Sequence, residues 1–202
     1  MRRISREAAY WEKRYSLGGD SGEGSAGKGR DWKWKTINEF APNITSVIDV
    51  ACGDLRFWNG RPDKYVDDYI GIDISKTIIE RNRKIQQSNI KFICAPAEKR
   101  IGLKAPFVFC MDLLFHIMDD DTYEAILENL CYYSSRFIFV HTWINNCFGD
   151  RIRGPFTDGN YMTFRRFEDY FPIFNREGFS NPQVRRNPNR VGALYIFRRR
   201  RA

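Results

Sequence analysis

Apolar residues in this chain gather into short, nearly continuous runs. These are SVIDV at 46–50, YIGID at 69–73, IKFIC at 90–94, PFVFC at 106–110 and RFIFVHT at 136–142. Stretches such as FVFC and FIFVH lack period-two alternation, which predicts strands buried on both faces, as in a parallel sheet covered by helices. Apolar positions recur at helical spacing over 75–87 and 120–134, and less regularly over 97–100. Ahead of the first run, 5–15 predicts a helix capped by Ser5 with an aromatic face of Tyr10, Trp11 and Tyr15, and 32–41 predicts a second helix closed by Pro42. Between them LGGDSGEGSAGKG, residues 17–29, predicts a mobile loop without a packed element, because glycine adds backbone entropy to the unfolded chain and little to bury.

After His141 the pattern changes. The stretch NNCFGDRIRGPFTDGNYM reads as loop, 164–179 as an amphipathic helix broken at Pro172 and ended at Gly178, and 181–186 with 191–198 as an antiparallel hairpin around RNPN. Alternating strands and helices followed by such a hairpin predict a doubly wound α/β sheet. One domain over 1–202 is expected, with 1–44 preceding a core of 45–202.

Composition narrows the class. At 202 residues, 43% hydrophobic and 15% aromatic, the chain can bury its own core and is neither disordered nor fibrous. No apolar run approaches the roughly 18 residues of a membrane helix, and MRRISREAAYWEKRY lacks a signal-peptide core, so no membrane association and a cytoplasmic location are expected. Cys52, Cys94, Cys110, Cys131 and Cys147 are scattered without C-x-x-C and there are two histidines, which points to no metal site and no disulfide framework. The net charge of +8 resembles a nucleic-acid footprint until it is located: 183–202 holds seven arginines and no acid, and the remainder is near neutral. The basic end reads as a solvated strand end and tail, with RNA or another polyanion as the alternative.

Ligands of a doubly wound sheet sit beyond the carboxyl ends of its strands. SVIDVACGD delivers Asp49 there and breaks at Gly53; YIGIDIS delivers Asp73. A dinucleotide fingerprint would be G-x-G-x-x-G, seating a pyrophosphate at a helix N-terminus. Here ACGDLR has one glycine and places Asp54 where a phosphate would approach. Carboxylates suit a ligand with an amino-acid group and a ribose instead: an acid of the first turn for the ammonium, and Asp73 for both ribose hydroxyls. S-adenosylmethionine is such a ligand.

These motifs resemble those of the class I, seven-stranded S-adenosylmethionine-dependent methyltransferases from about Trp11 to the end, with SVIDVACGD as the first motif and YIGIDIS as the ribose motif. YWEKRYSLGGDSGEGSAGKG, CGDLRFW, FCMDLLFHIMDDDTYE and YMTFRRFEDYF look like a bacterial and archaeal subgroup with a glycine-rich N-terminal loop. The resemblance implies strand order 3-2-1-4-5-7-6 with the last strand antiparallel, and S-adenosylmethionine as cofactor. It implies contacts from Trp11 and from Arg14, the latter pairing with the cofactor carboxylate. Asp49, Ala51, Cys52 and Gly53 would serve from the first turn, Asp73 and Ile74 from the second, and Met111 and Asp112 from the fourth. Many members carry more glycines where Ala51, Asp54 and Leu55 stand, and an aspartate near Pro96; adenine would then rest on the Ala97 backbone and apolar packing.

For the acceptor, the end of the fourth run brings Asp112, Phe115 and His116 toward the transferred methyl, with His116 the first candidate base. His141, beside Trp143 and Asn145, is the second. A lid from the glycine-rich segment and 145–166 would offer Phe156, Tyr161, Arg165 and Arg166 to an anionic or ring-bearing acceptor. No N-P-P-Y-like tetrapeptide follows the fourth strand, against nucleobase amine methylation. The expected activity is methyl transfer to O or N of a small molecule or glycan. The alternatives are an RNA or protein methyltransferase using the arginine-rich end, or a cofactor-binding protein without catalysis.

Overall fold

The computed structural model describes residues 5–85, 87–144, 152–156, 159–188 and 191–201. Seven strands build one sheet: β1 Ser46–Val50, β2 Asp68–Asp73, β3 Ile90–Cys94, β4 Ala105–Met111, β5 Ser134–Trp143, β6 Gln183–Arg186 and β7 Gly192–Arg198. Their order is β3-β2-β1-β4-β5-β7-β6. Strands β1 to β5 run parallel, and β7 is antiparallel to both neighbours, as the hairpin pattern required. The helices are α1 Arg6–Ser16, α2 Gly27–Phe40, α3 Lys76–Asn82, α4 Asp120–Tyr133 and α5 Phe171–Arg176.

Unbroken apolar strands need cover on both sides, and they have it. Ile126, Leu127 and Leu130 of α4 with Phe174 of α5 share one buried cluster with Ile48, Val108 and Ile138. Trp34 and Ile37 of α2 with Ile78 and Ile79 of α3 share the other with Val47, Phe107 and Phe139. Each fully buried side chain of this size stabilises by about 1.5–3 kcal/mol.

Four sequence expectations change. Residues 97–100 form a turn, not a helix, and 164–179 divides into a short 3-10 turn, Phe167–Tyr170, followed by α5, with Pro172 in its first turn where a missing N–H costs nothing. A two-residue ribbon, Ile152–Arg153 with Met162–Thr163, stands in the stretch read as loop. The glycine-rich segment is packed: it holds a 3-10 turn, Glu23–Ser25, and α2 already begins at Gly27. Gly24 serves close approach, as does Gly53 in the turn after β1. A Cβ on Gly24 would lie 2.7 Å from Asp112 Oδ2, and one on Gly53 2.2 Å from Ser21 Oγ. Ser21 N–H donates to Asp54 Oδ2 at 3.2 Å and Asp54 N–H donates to Ser21 Oγ at 3.1 Å, so the segment is tied down onto the turn after β1.

The basic C-terminus also differs from a free tail. Arg199 donates to the carbonyls of Cys131 at 3.0 Å and Ser134 at 2.7 Å, and its guanidinium lies 4.3 Å over the Phe179 ring. Since α4 runs into β5 without a loop, this arginine satisfies carbonyls the last helical turn leaves open. Arg199→Ala is expected to cost about 2–3 kcal/mol, since charged hydrogen bonds are lost and buried acceptors left open. A urea midpoint unchanged from wild type would refute this.

Among the described residues no helix is long and apolar enough to cross a membrane, and no cluster of potential metal ligands occurs.

Candidate functional site

Parallel pairing sets the carboxyl ends of the strands level: Val50 is opposite Ile72, Asp73 opposite Cys94, and Met111 opposite His141. The residues just after β1 and β4, Ala51 (φ 63) and Asp112 (φ 61), take the left-handed conformation, which turns the chain sharply away from the sheet. Such backbone costs about 1–3 kcal/mol per residue and is held by surrounding packing. Over these ends lies a cavity of about 1190 Å³ including its open mouth. Its floor is Asp49 of β1 with Ala51 and Cys52 just after it, Asp73 of β2 with Ile74, and Met111 of β4 with Asp112. Ala95, Ala97 and Glu98 wall one end; Trp11, Tyr15, Ser21 and Ser25 of the N-terminal segment form the roof.

Asp73 is buried. Its Oδ2 accepts from Gly53 N–H and its Oδ1 from Ser75 N–H, both at 2.9 Å. Burial pushes its carboxyl up to about 6 even though these amides favour the anion. Asp49 is likewise raised to about 6 by burial, while Oδ2 accepts from Tyr69 OH and Trp58 Nε1, both at 2.7 Å. Two carboxyls of one site thus titrate near neutrality.

Asp112 behaves in the opposite way. Burial opposes its ionisation, but the Lys33 ammonium on Oδ2 and the His141 ring on Oδ1 pull it far below the usual carboxylate range. Lys33 is itself buried and donates to the Gly24 carbonyl at 3.0 Å, so one network joins α2, the glycine-rich turn and the ends of β4 and β5.

His116 ends a 3-10 turn after β4, with Trp11 edge-on to its ring at 5.1 Å. Burial lowers it to about 4, leaving it neutral at physiological pH. Its Nδ1 lies 3.4 Å from the Tyr161 carbonyl. A carbonyl can only accept, and the Asn160 side chain is a second hydrogen-bond partner of the ring.

No family model matches the chain, and no curated protein matches it in sequence. Solved structures do. Magnesium protoporphyrin IX methyltransferase from Synechocystis PCC 6803 superposes with a TM-score of 0.65 at 15% identity, over 98% of this chain and 96% of that one. An S-adenosylmethionine-dependent methyltransferase from Clostridium acetobutylicum gives 0.66 at 12% identity, over 95% and 96%. A sugar N-methyltransferase from Streptoalloteichus gives 0.63 at 14%, over 85% and 87%. The fold is that of the seven-stranded S-adenosylmethionine-dependent methyltransferases.

Within this methyltransferase fold the cavity gathers Trp11, Asp49, Ala51, Cys52, Asp73 and Ile74, together with Ala97, Met111, Asp112 and His116. Two residues expected at the cofactor stand outside the lining. Gly53 lies behind it with its N–H on Asp73, and Arg14 is turned to the Asp20 carbonyl, 2.6 Å from Nε, and to Tyr10 OH, 3.1 Å from Nη1. The Ala97 carbonyl is engaged by Asn129 Nδ2 at 3.0 Å. His141 is buried on Asp112 and does not line the cavity.

The acceptor residues divide. Phe115 and Trp143 stack on one another at 4.8 Å behind His116, away from the cavity. Arg165 is drawn inward: it pairs with Asp120 at 2.7 Å, donates to the carbonyls of Ile117 and Met118, and lies 4.4 Å over Tyr123. It braces the β4–α4 connection and has no face for an anionic acceptor. Arg166 faces solvent on Asp169. Tyr161 stays beside His116, and Asn145 lies outside the described residues. Sequence reasoning missed Lys33, Ser21 and Ser25; the close spacing of glycines around them was the available signal.

Proposed function

We propose that the chain binds S-adenosylmethionine in this cavity and methylates an oxygen or nitrogen of a small-molecule acceptor. The observation that carries the reading is Asp73: a carboxylate at the end of β2, facing a cavity roofed by aromatic residues, with its anion fixed by two backbone amides. Held in that way, it can accept from vicinal ribose hydroxyls. The apolar walls at Ala95, Ala97 and Ile74 suit an adenine ring.

The cofactor supplies a sulfonium methyl that passes in line to a nucleophile while the carbon–sulfur electron pair stays on sulfur. This chain then needs to align the acceptor, exclude water and receive its proton. The roof of α1 and the Glu23–Ser25 turn shields the site. His116, neutral at physiological pH, is placed on the wall to take the proton. A roofed cavity favours a small acceptor over a polymer. Two of the similar structures are methyltransferases of magnesium protoporphyrin IX and of a sugar.

Calorimetric titration with S-adenosylhomocysteine tests the reading: one-to-one binding is expected, and no heat at millimolar ligand overturns it. A panel of small hydroxyl and amine compounds, screened with methyl-labelled cofactor, gives the turnover assay. In it His116→Gln is expected to slow transfer by about 10²–10⁴-fold, the usual worth of a general base. S-adenosylhomocysteine affinity should stay unchanged, and full activity in this variant would remove the base role.

A further inference from the structure

The amino-terminal edge of the sheet, opposite the cavity, carries a concentration of cations. Lys104 immediately precedes β4, Arg136 lies in the first turn of chain of β5, and β7, running the other way, ends at Arg198 on the same edge. The Arg199 N–H donates to the Arg136 carbonyl at 2.8 Å, which sets the segment after β7 beside the start of β5. Arg100, Lys104, Arg136, Arg198 and Arg200 are all exposed. Burial lowers the Lys104 ammonium from its ordinary value, and the charges of Arg199 and Arg100 lower it further, so these cations stand close enough to repel one another.

Elsewhere on the surface the arginines are neutralised: Arg30, Arg61, Arg165, Arg166 and Arg176 each pair with a carboxylate. At this edge none of the five cations does, among the described residues. Glu177, the acid whose charge reaches Lys104, pairs with Arg176 at 3.7 Å. Arg100, Lys104 and Arg200 donate to Asn129 Oδ1, the Tyr132 carbonyl and the Asn175 carbonyl, which leaves their charge uncompensated. The guanidinium groups of Arg136 and Arg198 make no hydrogen bond among the described residues. They lie over the Phe137 ring, 5.5 and 5.7 Å from its centroid, and their N–H edges are left to water. Like charges gathered without a counter-charge destabilise the compact state, and a bound polyanion relieves them.

We propose that this edge is a docking surface for single-stranded RNA, gripped by its phosphates. Guanidinium groups seated over an aromatic ring turn a flat outer face to unpaired bases and N–H edges to phosphate oxygens, the pairing of contacts that suits a single strand. A lipid surface fits less well, because the exposed large apolar residues Leu17, Phe156, Val184 and Val191 belong to the end of α1, the 152–156 segment, β6 and the far end of β7, and leave this edge nothing to insert. The RNA is an anchor and not the methyl acceptor. From Ala105 to Met111, β4 spans about 20 Å at about 3.3 Å per residue, so a strand held at one end of the sheet stays clear of the cavity at the other.

The test is fluorescence anisotropy of a labelled uridine 20-mer titrated with the full chain between about 50 and 200 mM salt. Five phosphate contacts would give a slope of log K against log salt of about −3.5, at about −0.7 per contact on a single strand. Arg136→Gln with Arg198→Gln should reduce that slope by about 1.4 and weaken binding at 50 mM salt by about tenfold or more; neither guanidinium holds the fold by a hydrogen bond, so the protein should remain folded by circular dichroism. Arg136→Lys with Arg198→Lys should keep the wild-type slope. Arg61→Gln with Arg166→Gln, two exposed arginines already paired with acids, should keep it as well. No binding at 50 mM salt, a wild-type slope in the glutamine pair, an equal loss in the Arg61 and Arg166 control, or tighter binding to a duplex DNA 20-mer or to phosphatidylserine vesicles than to the RNA overturns the proposal. So does competition between the RNA and S-adenosylhomocysteine, which would put the strand in the cavity. Failure of S-adenosylhomocysteine to bind by itself bears on the cofactor reading alone, since the RNA titration is made without it.

Discussion

Lys33→Met is expected to destabilise the protein by about 3–5 kcal/mol, the cost of leaving one member of a buried ion pair without its partner. Lys33 and Asp112 are both largely enclosed, and the lysine also holds the Gly24 carbonyl, so methionine fills the space but strands a carboxylate and a carbonyl. The loss should appear as a lower urea midpoint with an unchanged slope. Acid should reveal the same network. The folded Asp112 carboxyl is depressed below the unfolded value of about 3.9, so its contribution is complete above that value and lost as pH falls toward the folded one. Removing the ammonium raises the folded value, and the variant should lose stability at a less acidic pH than wild type. Combining Lys33→Met with Asp112→Asn should cost less than the sum of the two single changes, because the pair is removed together. A single variant within about 1 kcal/mol of wild type would show that the network does not hold the roof to the sheet.

Why this network escaped the sequence, while the sheet did not, follows from the range of the forces. A strand buried on both faces writes its environment into consecutive residues, so FVFC and FIFVH could be placed without knowing their neighbours. Asp49 and Asp73 were legible for the same reason: each is the carboxylate that ends an apolar run. Lys33 has no local mark, since its partner Asp112 is 79 positions away. The glycines that precede it read as mobility, although at Gly24 the missing side chain is what lets Asp112 approach. Arginines misled for a related reason. Whether Arg165 or Arg199 binds inward carbonyls or faces a cavity depends on which carbonyls the fold brings within reach, and a pattern of charge along the chain carries no information on that.

Asp73→Ala is expected to weaken S-adenosylhomocysteine binding by more than about 100-fold, since two hydrogen bonds to a charged acceptor at about 1.5–3 kcal/mol each are lost. Calorimetry at pH 7.5 reads the loss, and circular dichroism matching wild type shows that the amides of Gly53 and Ser75 have not pulled the site apart. The wild-type protein should show the same dependence through pH. Its Asp73 carboxyl is raised by burial to about 6, so on acidification the group takes up a proton and can no longer accept from both hydroxyls. Affinity should fall as pH drops through 6. Stability of the free protein moves the other way over that interval: a folded value above the unfolded one gives a contribution that is full below about 3.9 and lost as pH rises through 6. Asp49, raised to about 6 as well, adds to it with the same sign. The thermal shift produced by S-adenosylhomocysteine should therefore shrink between pH 7.5 and 5 because the free protein gains while the complex loses. A shift independent of pH, or an Asp73→Ala protein that binds like wild type, would remove the carboxylate at the end of β2 from the cofactor site and with it the observation on which the function rests.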